Sequence, residues 1–204
     1  MYVRYIKRVL DVILSAVAIV ILAIPMLAIA VVIKIDSPGP VFFKQRRVGI
    51  HKKEFNILKF RSMPTTVPHD TPTHQFKAED MLTKWQKTMR KMSIDELPQV
   101  FNILASQMSF IGPRPALWNQ DDLVAERDKY GANDVKPGLT GWAQINGRDE
   151  LEIPVKAKLD GEYAQNISFR FDCKCFFGTV RSVLKHDGVV EGGTGELHKR
   201  DEEE

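Results

Sequence analysis

Cysteine is nearly missing from this 204-residue chain: the two present, Cys173 and Cys175, stand one residue apart, too close to staple a loop and seldom able to reach disulfide geometry. A disulfide scaffold is excluded and a reducing compartment is favoured. Histidine is sparse, and His51, His69, His74 and His186 lack the paired spacing of a zinc site. A surplus of one charge is missing too. The net charge is +3, from 29 Lys and Arg against 26 Asp and Glu, too small to imply a nucleic-acid partner unless the positive charge is clustered, which it is. No internal repeat is visible, 44% hydrophobic with 27% charged residues is the composition of a folded chain, and the length has room for one domain or one domain plus an appendage.

What is present is unevenly spread. No charged residue occurs from Val12 to Ile33, and at ~1.5 Å per residue a helix of about 22 residues reaches roughly 33 Å, enough for a bilayer core. The chain therefore touches membrane lipid, and three readings compete for the segment. A cleaved signal peptide finds a basic start in Arg4, Lys7 and Arg8 and small residues in Ala28-Ile29-Ala30, but the run is long for it and Val31-Val32-Ile33 would become a sticky new terminus. A spanning helix is the ordinary reading. A helix that enters and returns on one side is favoured by Pro25, which removes a backbone hydrogen bond and predicts a kink. It is also favoured by positive charge at both ends: Arg4, Lys7 and Arg8 before the run, Lys34, Lys44, Arg46, Arg47, Lys52 and Lys53 after it. The positive-inside rule then gives a crossing no direction. Membrane helices also carry proline, so on the residues alone spanning and re-entrant readings stand level.

Asp36-Ser37-Pro38-Gly39-Pro40 is dense turn chemistry that closes the membrane segment, 1–35, and opens a soluble domain, 36–190, with a glycine-rich and then charged tail, 191–204, expected to fray. Val41-Phe42-Phe43 and Glu54 to Phe60, on either side of Gly49 to Lys53, predict a β-hairpin. Met63 to Gln75, with three prolines, predicts a mobile loop. Met81, Leu82, Trp85 and Met89 within Ala78 to Lys91 have helical spacing, as do Leu97, Val100, Phe101 and Leu104, and both stripes are expected to face the core. Pro115 to Lys129 and Ile153 to Gln165 predict two more helices. Phe169 to Cys175 alternates like a strand, but Phe169, Cys173, Phe176, Val180 and Val183 fit a helix, which is the reading taken.

The chemistry gathers at Ser93-Ile94-Asp95-Glu96-Leu97-Pro98. Ser93 and Glu96 have capping-box spacing, but a helix capped by Ser93 would put Pro98 fifth, where its missing N–H is needed. A helix starting at Asp95 puts Pro98 third, where that N–H is an orphan in any case. Two adjacent carboxylates then open a helix, whose free N–H groups and dipole favour phosphate. Such a site can combine a carboxylate nucleophile, a magnesium ligand and a phosphate cradle, ordinary capping being the plain alternative. Cations nearby favour the chemical reading: Lys59 and Arg61 in Leu58-Lys59-Phe60-Arg61-Ser62-Met63, Arg90 just upstream, and Arg114 in Gly112-Pro113-Arg114-Pro115. Arginine on a stiff backbone suits bidentate phosphate recognition, although a surface salt bridge is the alternative for each. Lys136-Pro137-Gly138-Leu139-Thr140-Gly141-Trp142-Ala143-Gln144-Ile145-Asn146-Gly147-Arg148 has the glycines, amides, aromatic and final arginine of a binding loop, or of a structural turn.

Together with the Pro25 segment, Leu159-Asp160, Tyr163 and Asn166-Ile167-Ser168-Phe169, these motifs resemble the monotopic phosphoglycosyl transferases, bacterial sugar transferases that move a phosphosugar from a nucleotide sugar to a polyprenyl phosphate. The resemblance covers nearly the whole chain. It implies an α+β, mainly α fold: a single compact domain with a small β-hairpin and an N-terminal re-entrant helix broken at Pro25, with no extra membrane helices and no fused domain. It implies a catalytic dyad, Asp95 and Glu96, that holds Mg2+, with a covalent phosphosugar formed on Asp95. Lys59, Arg61, Arg90, Arg114 and Arg148 would bind substrate phosphate. The expected partners are a UDP-sugar, undecaprenyl phosphate and membrane lipid, with a homodimer as a further candidate. UMP would be released at the cytoplasmic face of the bacterial inner membrane, as the first membrane step of glycan, capsule or exopolysaccharide assembly. One departure is Ile24, where many members carry serine before the helix-breaking proline. A membrane-anchored binding module without chemistry, and a lipid-phosphate or UDP-sugar hydrolase, are the rival functions.

Overall fold

The structure, a computed structural model, describes residues 1–64, 82–147 and 151–185. Most of the loop expected from Met63, residues 78–81, Arg148 and the 191–204 tail lie outside the described residues. The architecture is α+β and mainly α, as the sequence predicts. A π-helical turn, Tyr2–Ile6, leads into α1, Lys7–Asp36, a helix of 30 residues and the one helix among those described that is long and apolar enough to cross a membrane. Asp11, Ser15, Met26 and Ile33 are buried at near-helical spacing, so one stripe of α1 faces the rest of the molecule. Ile13, Val17, Val20, Ile24 and Leu27 face outward. Pro25 lies inside α1, which is helical on both sides of it. Pro25 has no N–H for the Ile21 carbonyl, but leaving the helix among apolar residues would orphan more backbone groups than this one.

After the Asp36 to Pro40 turn, β1, Phe42–Val48, pairs antiparallel with β2, Glu54–Phe60, from Phe42 opposite Phe60 to Val48 opposite Glu54. The predicted hairpin is present, with a first strand longer than Val41-Phe42-Phe43. Helix α2, Lys84–Lys91, starts from a capping box in which Thr83 and Gln86 satisfy each other. Met89 of α2 packs with Phe60 of β2 and with Met26 and Ile33 of α1, which joins the membrane segment to the domain core.

The next turn differs from expectation. Ser93 takes a left-handed conformation (φ 54), Ile94–Glu96 form a 3-10 turn, and α3, Gln99–Leu104, begins only after Pro98. Asp95 and Glu96 therefore precede the α-helix instead of opening it. Pro98 cannot donate to the Ile94 carbonyl, and Leu97 N–H takes that acceptor at 3.2 Å. In α3 Val100 is buried, but Phe101 and Leu104 are 39% and 38% exposed, so half of that stripe is surface. Its far end is capped by Arg8 of α1, which donates to the Ile103 and Leu104 carbonyls at 2.8 Å each.

Strands β3, Ser109–Ile111, and β4, Gly138–Thr140, form a parallel pair that the sequence did not reveal. Helix α4 covers only Asp121–Asp128, because residues 115–120 are held against the hairpin: Val48 N–H donates to the Ala116 carbonyl and Arg47 bridges to Leu117. The short α5, Trp142–Ile145, is followed by α6, Ile153–Gln165, at its predicted bounds, and by α7, Phe169–Lys185, where the helical reading holds.

Candidate active site

Side chains alternate along β2, so Phe60 enters the core shared with α1 while Lys59 points to the other face. There Lys59 Nζ donates to Glu96 Oε1 at 2.9 Å. From the opposite side Arg114 grips the same carboxylate with both terminal nitrogens, at 2.6 Å to Oε1 and 3.3 Å to Oε2. Glu96 is buried, which pushes its carboxyl up, but Arg114 and then Lys59 outweigh burial and hold it well below the usual range. It is an anion clamped between two cations.

Its neighbour is different. Asp95 accepts one hydrogen bond, from Ser62 Oγ to Oδ2 at 3.2 Å, and among the described residues Oδ1 has none. Burial raises its carboxyl above the ordinary range, with the Glu96 charge adding to the rise and Lys59 and Arg90 opposing it. Burial also lowers the Lys59 ammonium. Two adjacent acids are thus driven apart: one fixed as a structural anion, the other raised and only lightly bonded. That division suits different chemical roles.

Arg114 is supported from behind. Pro113 and Pro115 flank it, and its carbonyl accepts from Arg127 Nη2 at 2.9 Å. Arg127 is tied in turn to Asp160 Oδ2 through Nε and Nη2, at 2.9 and 2.5 Å. This buried pair and Ser62 were missed as site residues, although Ser62 and Asp160 stand in motifs quoted from the sequence.

Arg61 does not join the dyad. Its guanidinium donates to the Ser37 and Pro38 carbonyls, where the chain leaves α1. Arg90, in the last turn of α2, acts on Asp95 through its charge. Arg148 lies outside the described residues. Two further ties hold the site to the foot of α1: Thr83 Oγ1 donates to Asp36 Oδ2 at 3.0 Å, and Ile94 and Leu97, on either side of the dyad, pack against the shared core.

Magnesium would find few protein ligands here. Among the described residues no three acidic, imidazole or thiolate groups converge, and both Glu96 oxygens face cations. Asp95 Oδ1 is the available oxygen, and the set fits an ion that takes one or two carboxylates and completes its shell with water and substrate phosphate.

The family model described as bacterial sugar transferase matches residues 2–186. The chain is similar to the uncharacterized sugar transferase EpsL of Bacillus subtilis, 43% identical over 160 residues, 78% of each chain. It is also 38% identical over 193 residues to the UDP-N-acetylgalactosamine-undecaprenyl-phosphate N-acetylgalactosaminephosphotransferase of Aeromonas hydrophila. A third relative, at 44% over 186 residues, is the UDP-glucose:undecaprenyl-phosphate glucose-1-phosphate transferase of Xanthomonas campestris. The aligned regions cover 91% and 87% of this chain but only 45% and 38% of the Aeromonas and Xanthomonas proteins. The chain therefore belongs to the bacterial sugar transferase family, whose model spans the apolar helix and the carboxylate pair alike.

Proposed function

We propose that the protein transfers a phosphosugar from a UDP-sugar to undecaprenyl phosphate through Asp95. Asp95 is the better nucleophile of the dyad, because its Oδ1 carries no hydrogen bond among the described residues while Glu96 is held by two cations. An Asp95 oxygen attacks the phosphorus that bears the sugar, the bond from that phosphorus to the bridging oxygen breaks, and UMP leaves with that oxygen. An oxygen of undecaprenyl phosphate then attacks the same phosphorus, and the Asp95 carboxylate departs. Lys59, Arg114 and Arg90 neutralise the charge that gathers on the phosphoryl oxygens. Glu96 keeps Lys59 and Arg114 beside Asp95. Asp95 would hold Mg2+ together with the substrate diphosphate, and the ion would supply further neutralisation of the departing UMP.

Access of a lipid substrate is supported by the membrane helix itself. The near end of α1 is tied to α7 by Lys7, and by Tyr2 just before it, both donating to Asp172 Oδ2 at 2.6 Å. Its far end is tied to the catalytic core through Asp36. Both ends thus hold one body, which favours a helix that dips into the cytoplasmic face of the inner membrane over one that crosses it.

The observation that carries the proposal is the unequal environment of Asp95 and Glu96. Asp95→Asn keeps shape and removes the anion. With a sugar-labelled donor and no lipid acceptor, the native protein should retain label and the variant should not, with thermal midpoints alike. Near-normal turnover by Asp95→Asn would end the covalent route.

A further inference from the structure

One buried polar side chain in the 136–147 stretch is left without a match. Gln144, on α5, is 9% exposed, and neither its Nε2 nor its Oε1 has a hydrogen-bond partner among the described residues. Gln99 on α3 leaves only its Nε2 unmatched, whereas Gln144 leaves both atoms, and two buried asparagines are satisfied. Asn102 accepts from Leu58 N–H and donates to the Asn56 carbonyl and Gln107 Oε1, and Asn133 donates to the Val124 carbonyl and Asp128 Oδ1. Burying an unpaired polar group is costly, and native proteins keep such groups where a ligand or water completes them.

The place of Gln144 says what that ligand is joined to. Its helix starts at Gly141, where an added Cβ would stand 2.1 Å from the Gly112 carbonyl oxygen and 3.1 Å from Gln144 Oε1. Gly112 begins the Gly112-Pro113-Arg114 turn whose arginine grips Glu96. Gln144 and Arg114 therefore leave the same C-terminal edge of the β3–β4 pair, a usual ligand position beside parallel strands. One presents an amide and the other a phosphate-binding cation.

We propose that Gln144 is a specificity residue that reads the uracil ring of the nucleotide sugar, an inference that rests on the UDP-sugar reading above. Its carboxamide offers a donor and an acceptor side by side. The uracil edge offers the complement, a carbonyl acceptor beside the N3–H donor, so one planar pair of hydrogen bonds satisfies both buried Gln144 atoms.

The test separates the base from the phosphate. Binding of UMP, N3-methyl-UMP and ribose 5-phosphate to the full chain is measured by calorimetry for the native protein, Gln144→Met and Gln144→Glu. Native protein should bind UMP at least about tenfold more tightly than either analogue, since a site built around a hydrogen bond rejects the ligand that lacks it. In Gln144→Met that preference should collapse while ribose 5-phosphate binding is unchanged. The thermal midpoint should hold or rise, because the substitution removes two unmatched polar atoms and keeps the apolar volume. Gln144→Glu keeps the acceptor and loses the donor, and should also lose the preference for UMP. An undiminished preference in both variants, or no preference in the native protein, overturns the assignment. UMP release from UDP-sugar by the native protein is scored separately: its absence strikes the transferase reading, whereas its presence with an unchanged base preference strikes only Gln144.

Discussion

At the scale of single residues, the dyad's chemistry follows from which cation stands near which carboxylate. Arg114 and Lys59 meet Glu96 directly, while Asp95 gains only the longer-range field of Lys59 and Arg90. If Asp95 must be ionised to attack, its raised carboxyl moves the acid limb of the pH–rate profile above the ordinary Asp range, since more of it stays protonated at a given pH. The lowered Lys59 ammonium brings the alkaline limb below the ordinary Lys range. Lys59→Met removes a cation that lowers Asp95, so its acid limb should move further up in a single-turnover profile of label transfer. An acid limb that stayed in place would detach Lys59 from Asp95. Residue types and spacing singled out Asp95, Glu96, Lys59 and Arg114, and the structure brings these four side chains together. Arg61 stands apart from Lys59 because β2 ends at Phe60 and its guanidinium is taken by the Ser37 and Pro38 carbonyls, which no spacing in the sequence records.

Among the elements, those with a strong period were readable and those made by close backbone approach were not. The apolar run, the hairpin, Ile153–Gln165 and Phe169–Lys185 carry their pattern over several residues. The β3–β4 pair has three residues in each strand and rests on absent side chains. At Gly138 an added Cβ would lie 2.1 Å from Gly112 N and 2.5 Å from the Thr140 carbonyl oxygen. Gly138→Ala should therefore force the strands apart and cost about 1–3 kcal/mol, lowering the thermal midpoint and, because Gly112 leads to Arg114, turnover as well. Gly131 is the contrast: it is left-handed (φ +69) with open space around it, so Gly131→Ala should lower the midpoint through backbone strain of about 1–2 kcal/mol and leave turnover intact. Equal turnover in the two variants would mean that β3–β4 does not position Arg114. The 3-10 turn under Asp95 was hidden for a related reason: the Pro98 defect is local, and no periodicity records it.

For the whole molecule, the question is on which side of a membrane each end of the long apolar helix lies. The sequence left spanning and re-entrant readings level, because charge and proline served both. The structure adds ties from both ends of α1 to the same body. Single cysteines at Val3 and Pro40, both exposed, in a background with Cys173 and Cys175 changed to alanine, should be shielded from an impermeant reagent in intact cells. Both should react once the membrane is opened. Labelling of Val3→Cys alone from outside would restore a crossing helix.

Asp172 gathers Tyr2, Lys7 and the hydroxyl of Tyr163, the last at 2.7 Å, so the first turn of the chain is fastened by a residue made some 165 positions later. During synthesis the apolar helix reaches the ribosome exit long before its fastening exists. It must meet lipid as an untethered segment and wait while the hairpin, the dyad turn and the parallel strands emerge. Its orientation is therefore chosen twice: first by flanking charge, and then by whether Asp172, once made, finds Lys7 on its own side of the bilayer. A chain whose first residues had been carried across could not close this contact, and would leave the Asp172 carboxylate buried against Tyr163 without its cation.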